Sequence, residues 1–459
     1  MMYTFPNKLR NLAFAFMAVG FVGLVYGFIS APTTIEQAKA LVAANHGEGH
    51  GTSHNSSGTH DGTDFHVKKS NHTTNHDDNI HADVTHDESH NIEHDEHVFH
   101  QLNNKPWAAL YVAAFFFFMI SLGVLAFYAI QRAAQAGWSP VLFRVMESIT
   151  AYLLPGGIIV IVILILSGFH FNHLFIWMDP EVVAHDKLIA GKTGFLNLPF
   201  FLIRAVFFLS GWTLYRYFSR KFSLAQDLAD DISNHKKNFR ISAAFLVFFI
   251  VTESIMSWDW IMSIDPHWFS TLFGWYVFAS MIVSAVTTIA LISIYLKSKG
   301  YLEHVNDSHI HDLAKFMFGF SVFWTYLWFS QFMLIWYSNI PEEVTYFITR
   351  IEDYNLPFFG MLVMNFIFPL LVLMNSDYKR KNYFVIMAGI VIIIGHYVDV
   401  FNMIMPSAVG DQWFIGSAEI GGFLFFLGLF MFIVFKEMTK APLLAKGDPY
   451  MGESERFHY

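Results

Sequence analysis

Long apolar runs, separated by short polar stretches, recur along this chain. Leu12–Ser30 is the first. Nine more follow: Trp107–Ile130, Val141–Phe169, Phe195–Tyr217, Ile241–Ile261, Leu272–Leu296, Leu313–Trp336, Pro357–Met374, Tyr383–Met405 and Ile415–Phe435. Each is close to or above the ~20 residues that a membrane-crossing helix needs. The pattern predicts an all-α integral membrane protein of about ten transmembrane helices. Lys8 and Arg10 precede the first run, and small residues follow Ile29, as in a signal peptide. That run is long and no clean A-x-A site follows it, so it reads as a retained helix.

One stretch breaks the pattern. His46–His100 carries thirteen of the 23 histidines among Asp, Asn, Ser, Thr and Gly, at spacings that drift without a repeat. A structured zinc site needs defined ligands and a second shell. The stretch therefore predicts a solvated low-complexity loop, with weak zinc or copper buffering as the alternative.

Charge gives the orientation. With the N-terminus inside, eighteen Lys and Arg fall on the inner side and seven on the outer, leaving out Arg144, Arg204 and Lys315 in or at helices. Both termini are then cytoplasmic, and the His-rich loop and Asp265-Pro266-His267-Trp268 lie outside. The composition agrees with a membrane solvent: 54% hydrophobic, 51 Phe, and only 14% charged against the ~25% of soluble domains. There is no cysteine, which excludes disulfides, Cys-ligated iron–sulfur clusters and C-x-x-C-H haem attachment on this chain. No basic patch suggests nucleic acid.

Against this background the intramembrane charges are the candidate chemistry, since each is costly there and functional by default. Glu253–Phe269, ESIMSWDWIMSIDPHWF, places Glu253 and Asp259 in the last turns of the fifth segment. Glu253, Ser257 and Trp260 share one helical face. Trp258, Trp260 and Trp268 suit a membrane boundary, and Asp265-Pro266 ends the helix. Arg204 is expected near the middle of the fourth segment. His396 and Asp399, at i and i+3, lie in the outer half of the ninth, and Glu419 near the outer end of the tenth. Glu147 stands apart at the inner end of the third. An outer group of Arg, Glu, His and Asp suits a quinone head group or a proton exit, with Glu147 as an inner proton intake. The plainer alternative is that Arg204 pairs with Glu253 as structural glue.

Weaker signals remain. Trp177-Met-Asp-Pro180, after His170 and His173, echoes Ser263-Ile-Asp-Pro266. A b-type haem would need histidines on facing helices, and only His396 is deep. Tyr326, Ser330 and Gln331, with Asn365 and Pro369, form a candidate second polar path. Gly156-Gly157 and Gly421-Gly422 read as close helix contacts.

The ten segments, the absence of cysteine and the run SWDWIMSIDPHWFSTLFGWY (Ser257 to Tyr276) together resemble the NrfD/polysulfide-reductase-type membrane subunits. More narrowly, they resemble the F subunits of bacterial alternative complex III, a quinol:cytochrome c oxidoreductase of the respiratory chain. The resemblance covers nearly every segment from Trp107 on. It implies two four-helix bundles, helices 2–5 (107–270) and 6–9 (271–405), with helices 1 (1–30) and 10 (406–459) peripheral and the His-rich loop (31–106) periplasmic. It also implies a bacterial inner-membrane complex with a sister NrfD-like subunit, an iron–sulfur subunit, c-type cytochromes and a terminal oxidase as a further partner. Haem c and the clusters would sit on those partners, with menaquinol the candidate lipid-soluble ligand. The implied role is scaffold and proton path in quinol oxidation and electron transport. A quinol-binding subunit in its own right and a secondary transporter stay open as alternatives.

Overall fold

The structure is a computed structural model that describes residues 2–48 and 80–458. It divides into two units, one of Ala31–Asn103 and one of Met1–Ser30 with Asn104–Tyr459. In the smaller unit Ile35–Glu48 is helical and the helix Ile80–Ala133 begins. The backbone is therefore helical at both ends of the histidine-rich stretch, where a structureless loop is expected. Residues 49–79 lie outside the described residues, and the expectation of metal buffering there lies with them.

Ten helices in the described residues are long and apolar enough to cross a membrane. They are α1 (Asn7–Ile29), α2 (Val98–Ala133), α3 (Pro140–Gly168), α4 (Leu198–Gln226), α5 (Ser233–Ile264), α6 (Phe273–Ser298), α7 (Asp307–Ser338), α8 (Asn355–Leu373), α9 (Asn382–Val409) and α10 (Ser417–Met438). Among the described residues there is no strand, only an isolated bridge between Met2 and Pro442. This is the architecture that hydrocarbon demands, because a helix satisfies its own backbone hydrogen bonds. Caps fix several ends. Asn197 accepts from the Phe200 amide at the start of α4, and Asn306 with His309 forms a capping box at α7.

Two helices form the axis. In the most apolar stretch of α2, 94% of residues are buried, and in that of α6, 83%. They meet where Gly123 lies against Met281 and Ala285. Helices α3, α4 and α5 surround α2. Ser121 donates to the Ile149 carbonyl, the Phe118 and Trp212 rings lie 6.1 Å apart, and Tyr111 donates to the Trp260 carbonyl. Helices α7 and α9 pack on α6 through Tyr276–Trp324 and Ser280–His396, and α8 joins them through Trp328–Phe358 with α7.

The outlying helices differ from expectation. Helix α10 is not peripheral. Phe423 packs 5.7 Å from Phe117 of α2 and 4.8 Å from Tyr397 of α9, and Phe430 packs 5.2 Å from Tyr152 of α3. Helix α1 is peripheral and lies antiparallel on α10. Gly20 and Gly23 face the backbone of Gly421, Gly27 faces Ala418, and Gly428 faces the carbonyl of Ala13. A side chain at Gly20 or Gly421 would overlap the opposite backbone, so this seam needs glycine.

The bridge Met2–Pro442, the ring contact Tyr3–Phe435 and the tail hydrogen bonds place both chain termini at one end of the bundle. We call this the terminal end and its opposite the far end. At the far end α5 runs into Asp-Pro through a 3-10 turn, Met262–Ile264, and a separate 3-10 turn, Ile176–Met178, precedes Asp179-Pro180 in the segment after α3. The echo between these sequences is thus a shared 3-10 turn before Asp-Pro, and the two are joined by Trp177 donating to Ser263 Oγ at 3.3 Å. Trp260 and Trp268 are buried rather than at a boundary, and Trp268 stacks on Tyr346 at 3.9 Å.

Candidate functional site

At the far end of the first bundle, α4 begins at Leu198, so Arg204 lies in its second turn rather than at mid-helix. This puts it level with the last turn of α5. Its Nε and Nη2 donate to the two Asp259 oxygens at 2.6 and 2.9 Å, while Nη1 donates to the Phe195 carbonyl. The Phe195 and Phe200 rings cover the guanidinium. The partner of Arg204 is therefore Asp259, not Glu253. Six residues separate the two acids, and at 1.5 Å per residue Glu253 lies about 9 Å deeper. Glu253 is buried, and its Oε1 accepts from Ser257 Oγ at 3.1 Å across one helical turn.

The second bundle holds a different arrangement. Asp399 is fully buried on α9. One of its oxygens accepts from the Tyr276 hydroxyl of α6, the other from Trp324 Nε1 of α7 at 2.8 Å. His396 Nδ1 lies 3.4 Å from Asp399 Oδ2 and 2.9 Å from Ser280 Oγ. The remaining imidazole nitrogen has no partner among the described residues. Next to His396, Gly395 leaves room for the amide of Asn365. That side chain is fully buried, and neither amide atom is hydrogen-bonded among the described residues. The segment carrying it, Val363–Ile367, is a π-helical turn, a distortion often found at functional positions. Thr287 and Ser321, both buried, also keep unpaired hydroxyls among the described residues. Of the expected second path, Gln331 and Asn365 face inward, while Tyr326 is 65% exposed on the outer surface of α7.

Arg350 was not legible as a site residue. It sits on the helix Pro341–Glu352 between α7 and α8, yet it is only 3% exposed. Its Nε donates to the Asn402 carbonyl and Nη1 to the Tyr346 carbonyl, and the Tyr346 ring lies 3.3 Å from the guanidinium carbon. Burial is the first influence on this guanidinium and pushes its pKa down, with Tyr346 and Tyr276 opposing. Nη2, Gln331 Oε1 and Asn402 Oδ1 are unpaired among the described residues. All three residues line a cavity of about 10 Å³, room for roughly one water molecule. The high moment of Pro341–Glu352, with apolar Val344, Phe347 and Ile351 on one side, is the signal that could have marked this segment as packed rather than looped.

The terminal end carries an ion-pair knot. Glu147, on α3, accepts from Arg144 at 2.7 Å and from Tyr128 at 3.0 Å. Arg144 also reaches Asp227 at 2.5 Å, and Arg132 reaches Asp448 at 2.6 Å. Glu147 thus belongs to an ion-pair network linking α2, α3, α4 and the C-terminal segment. Glu419 caps α10 by accepting from the Gly416 amide at 2.8 Å, with Lys105 at 3.8 Å. The seven charged candidates do not form one cluster. Arg204 joins Asp259, His396 joins Asp399, and Glu147, Glu253 and Glu419 each stand in separate surroundings.

The fit to added groups follows from this geometry. Among the described residues no three His, Asp or Glu side chains converge where a metal could sit. The cavity beside Tyr276 and Arg350 is too small for a quinone ring. An open groove of about 520 Å³ between α8, α9 and α10 is large enough, but Glu419 is the only charged residue lining it. No protein-family model matches the chain, and no curated protein matches it.

Proposed function

We propose that this chain is a membrane subunit of a respiratory quinol-oxidising complex of the bacterial inner membrane, serving as scaffold and as proton conductor through its second bundle. The observation that carries the proposal is the setting of Asp399. A fully buried carboxylate held by a hydroxyl and an indole, with an imidazole at 3.4 Å, has neutral hydrogen-bond donors and, among the described residues, no Lys or Arg within ion-pair distance. Such a group can take and give up a proton without breaking an ion pair. His396 passes the proton to Asp399 Oδ2, the carboxyl then releases it, and Tyr276, facing the Arg350 cavity, lies on the route toward the far end. The unpaired Asn365, Thr287 and Ser321 extend polar lining from His396 toward the middle of the bundle. Quinol oxidation itself is assigned to partners, since the polar cavity here does not admit a quinone ring.

In this reading both termini are cytoplasmic and the far end is periplasmic. The partners are a sister membrane subunit, an iron–sulfur subunit and c-type cytochromes. Two experiments test it. Purification in mild detergent should bring down coloured haem and iron–sulfur proteins; a chain that purifies alone and colourless refutes the complex. In the assembled complex, Asp399→Asn should lower proton-coupled turnover by about 10²-fold, the lower range for a positioned proton-transfer group. Unchanged turnover and unchanged proton-to-electron ratio would refute the proton path.

A further inference from the structure

Beyond the knot around Glu147, the terminal end holds a second basic group whose charges do not balance. Arg216 and Arg220 lie one turn apart on α4, and both reach the same carboxylate oxygen, Glu437 Oε1 on α10, at 3.7 and 3.1 Å. Lys440, just past α10, takes the other oxygen at 2.7 Å. Three cations thus share one ion-paired carboxylate among the described residues; Glu147 also acts on Arg216 and Arg220 from beyond ion-pair distance, but is itself taken up by Arg144 and Tyr128. Arg216 spends its Nε on Thr150 Oγ1 at 3.1 Å, which holds its guanidinium in place. Arg220 keeps a buried Nη1 with no partner among the described residues.

The position of the group matters as much as its charge. Helix α4 has 29 residues, about 43 Å at 1.5 Å per residue, against a hydrocarbon core of about 30 Å. With the first turn of α4 at one boundary of the core, Arg216, about 27 Å along the helix, and Arg220 one turn beyond it come level with the opposite head groups. Leu214 and Tyr217, on the same stretch of helix, are 58% and 59% exposed. Apolar surface for an acyl chain thus lies beside unmatched positive charge.

We infer that Arg216, Arg220 and Lys440 form a binding site for the phosphate head group of an anionic membrane lipid. The phosphate oxygens accept from the exposed Lys440 ammonium and from the partly exposed edges of the Arg216 and Arg220 guanidiniums, and one acyl chain runs along Leu214 and Tyr217. The inference rests on the membrane architecture and not on the respiratory role proposed above.

The test is native mass spectrometry of the full chain, delipidated in detergent and exposed to equal amounts of phosphatidylglycerol and phosphatidylcholine with matched acyl chains. The wild type should retain phosphatidylglycerol preferentially. Arg220→Gln should lower that preference about fivefold, from roughly 1 kcal/mol per interfacial cation. The double change Arg216→Gln, Arg220→Gln should abolish it. Glu437→Gln removes the competing carboxylate and should raise the preference, so it decides the matter even if the arginine variants fold poorly. Equal retention of both lipids by the wild type overturns the site. A preference unmoved by Glu437→Gln does the same. Displacement of the lipid by inorganic phosphate at equal concentration would assign the charges to a free anion and reject the lipid.

Discussion

The far ends of the two bundles are built from the same residue types and wired differently. In the first, Tyr111 of α2 donates to a backbone carbonyl, that of Trp260, and the carboxylate of Asp259 is closed by the two-pronged Arg204. In the second, Tyr276 of α6 donates to the carboxylate of Asp399 itself, and the arginine, Arg350, turns to the carbonyls of Asn402 and Tyr346. A charge pair in a low-dielectric interior is fixed, because neither member can neutralise without stranding the other. A carboxylate held by neutral donors carries no such penalty. An aspartate is thus clamped by an arginine in one bundle and held by a hydroxyl and an indole in the other.

The largest effect should come from breaking the clamp. Arg204→Ala leaves Asp259 buried without its cation and should cost about 3–5 kcal/mol of stability, seen as loss of the folded species in thermal unfolding by circular dichroism. Asp399→Asn should cost far less in the same assay, because its neighbours are neutral. If the two variants unfold alike, the distinction between clamp and titratable site fails. Next in size, Glu253→Gln should change turnover or proton coupling while leaving the complex assembled. Turnover and proton-to-electron ratio both at the wild-type value would show that proton transfer does not extend to Glu253 in the first bundle.

A smaller effect concerns pH at the terminal end. Burial alone would raise the Asp448 carboxyl, but His235, the Arg132 charge and the Tyr450 amide outweigh it and hold it below its ordinary 3.8. The depressed folded value means that Asp448 contributes stability in full above about pH 4, and that this is lost as pH falls through the lower folded value. The wild type should therefore lose its melting-temperature advantage over Asp448→Asn on acidification below that point. An advantage that persists or grows there contradicts the ion pair. Least of all, deletion of His46–His100 should leave activity intact. Loss of quinol oxidation with assembly preserved would give that stretch a role.

The spans were legible because twenty apolar residues have few alternatives to a membrane helix. The partners of the charges were not, because they depend on where helices begin. Starting α4 three residues after Phe195 moved Arg204 to the level of Asp259 and away from Glu253. The Phe115–Phe118 run of α2 belongs to the buried axis of the larger unit, which the sequence leaves open because aromatic residues suit lipid and protein interiors alike. Arg132, at the end of α2, and Arg144, near the start of α3, gave no sign that they would enclose Glu147, because the packing of helix ends is not written in apolar periodicity. The π-helical turn at Asn365 left no mark in the sequence beyond the nearby Pro369.

The glycine seam between α1 and α10 has a consequence for biosynthesis. Helix α1 docks on α10, which is made only after the eight spans between them. At 5–20 residues per second, α1 waits on the order of tens of seconds in the bilayer before its mate arrives. During that interval its glycine face is open to any other small-residue surface, including the α10 of a neighbouring nascent chain. Correct closure then depends on how quickly the intervening helices bring the two ends of one polypeptide together, which makes exchange of α1 between copies the characteristic assembly error of this architecture.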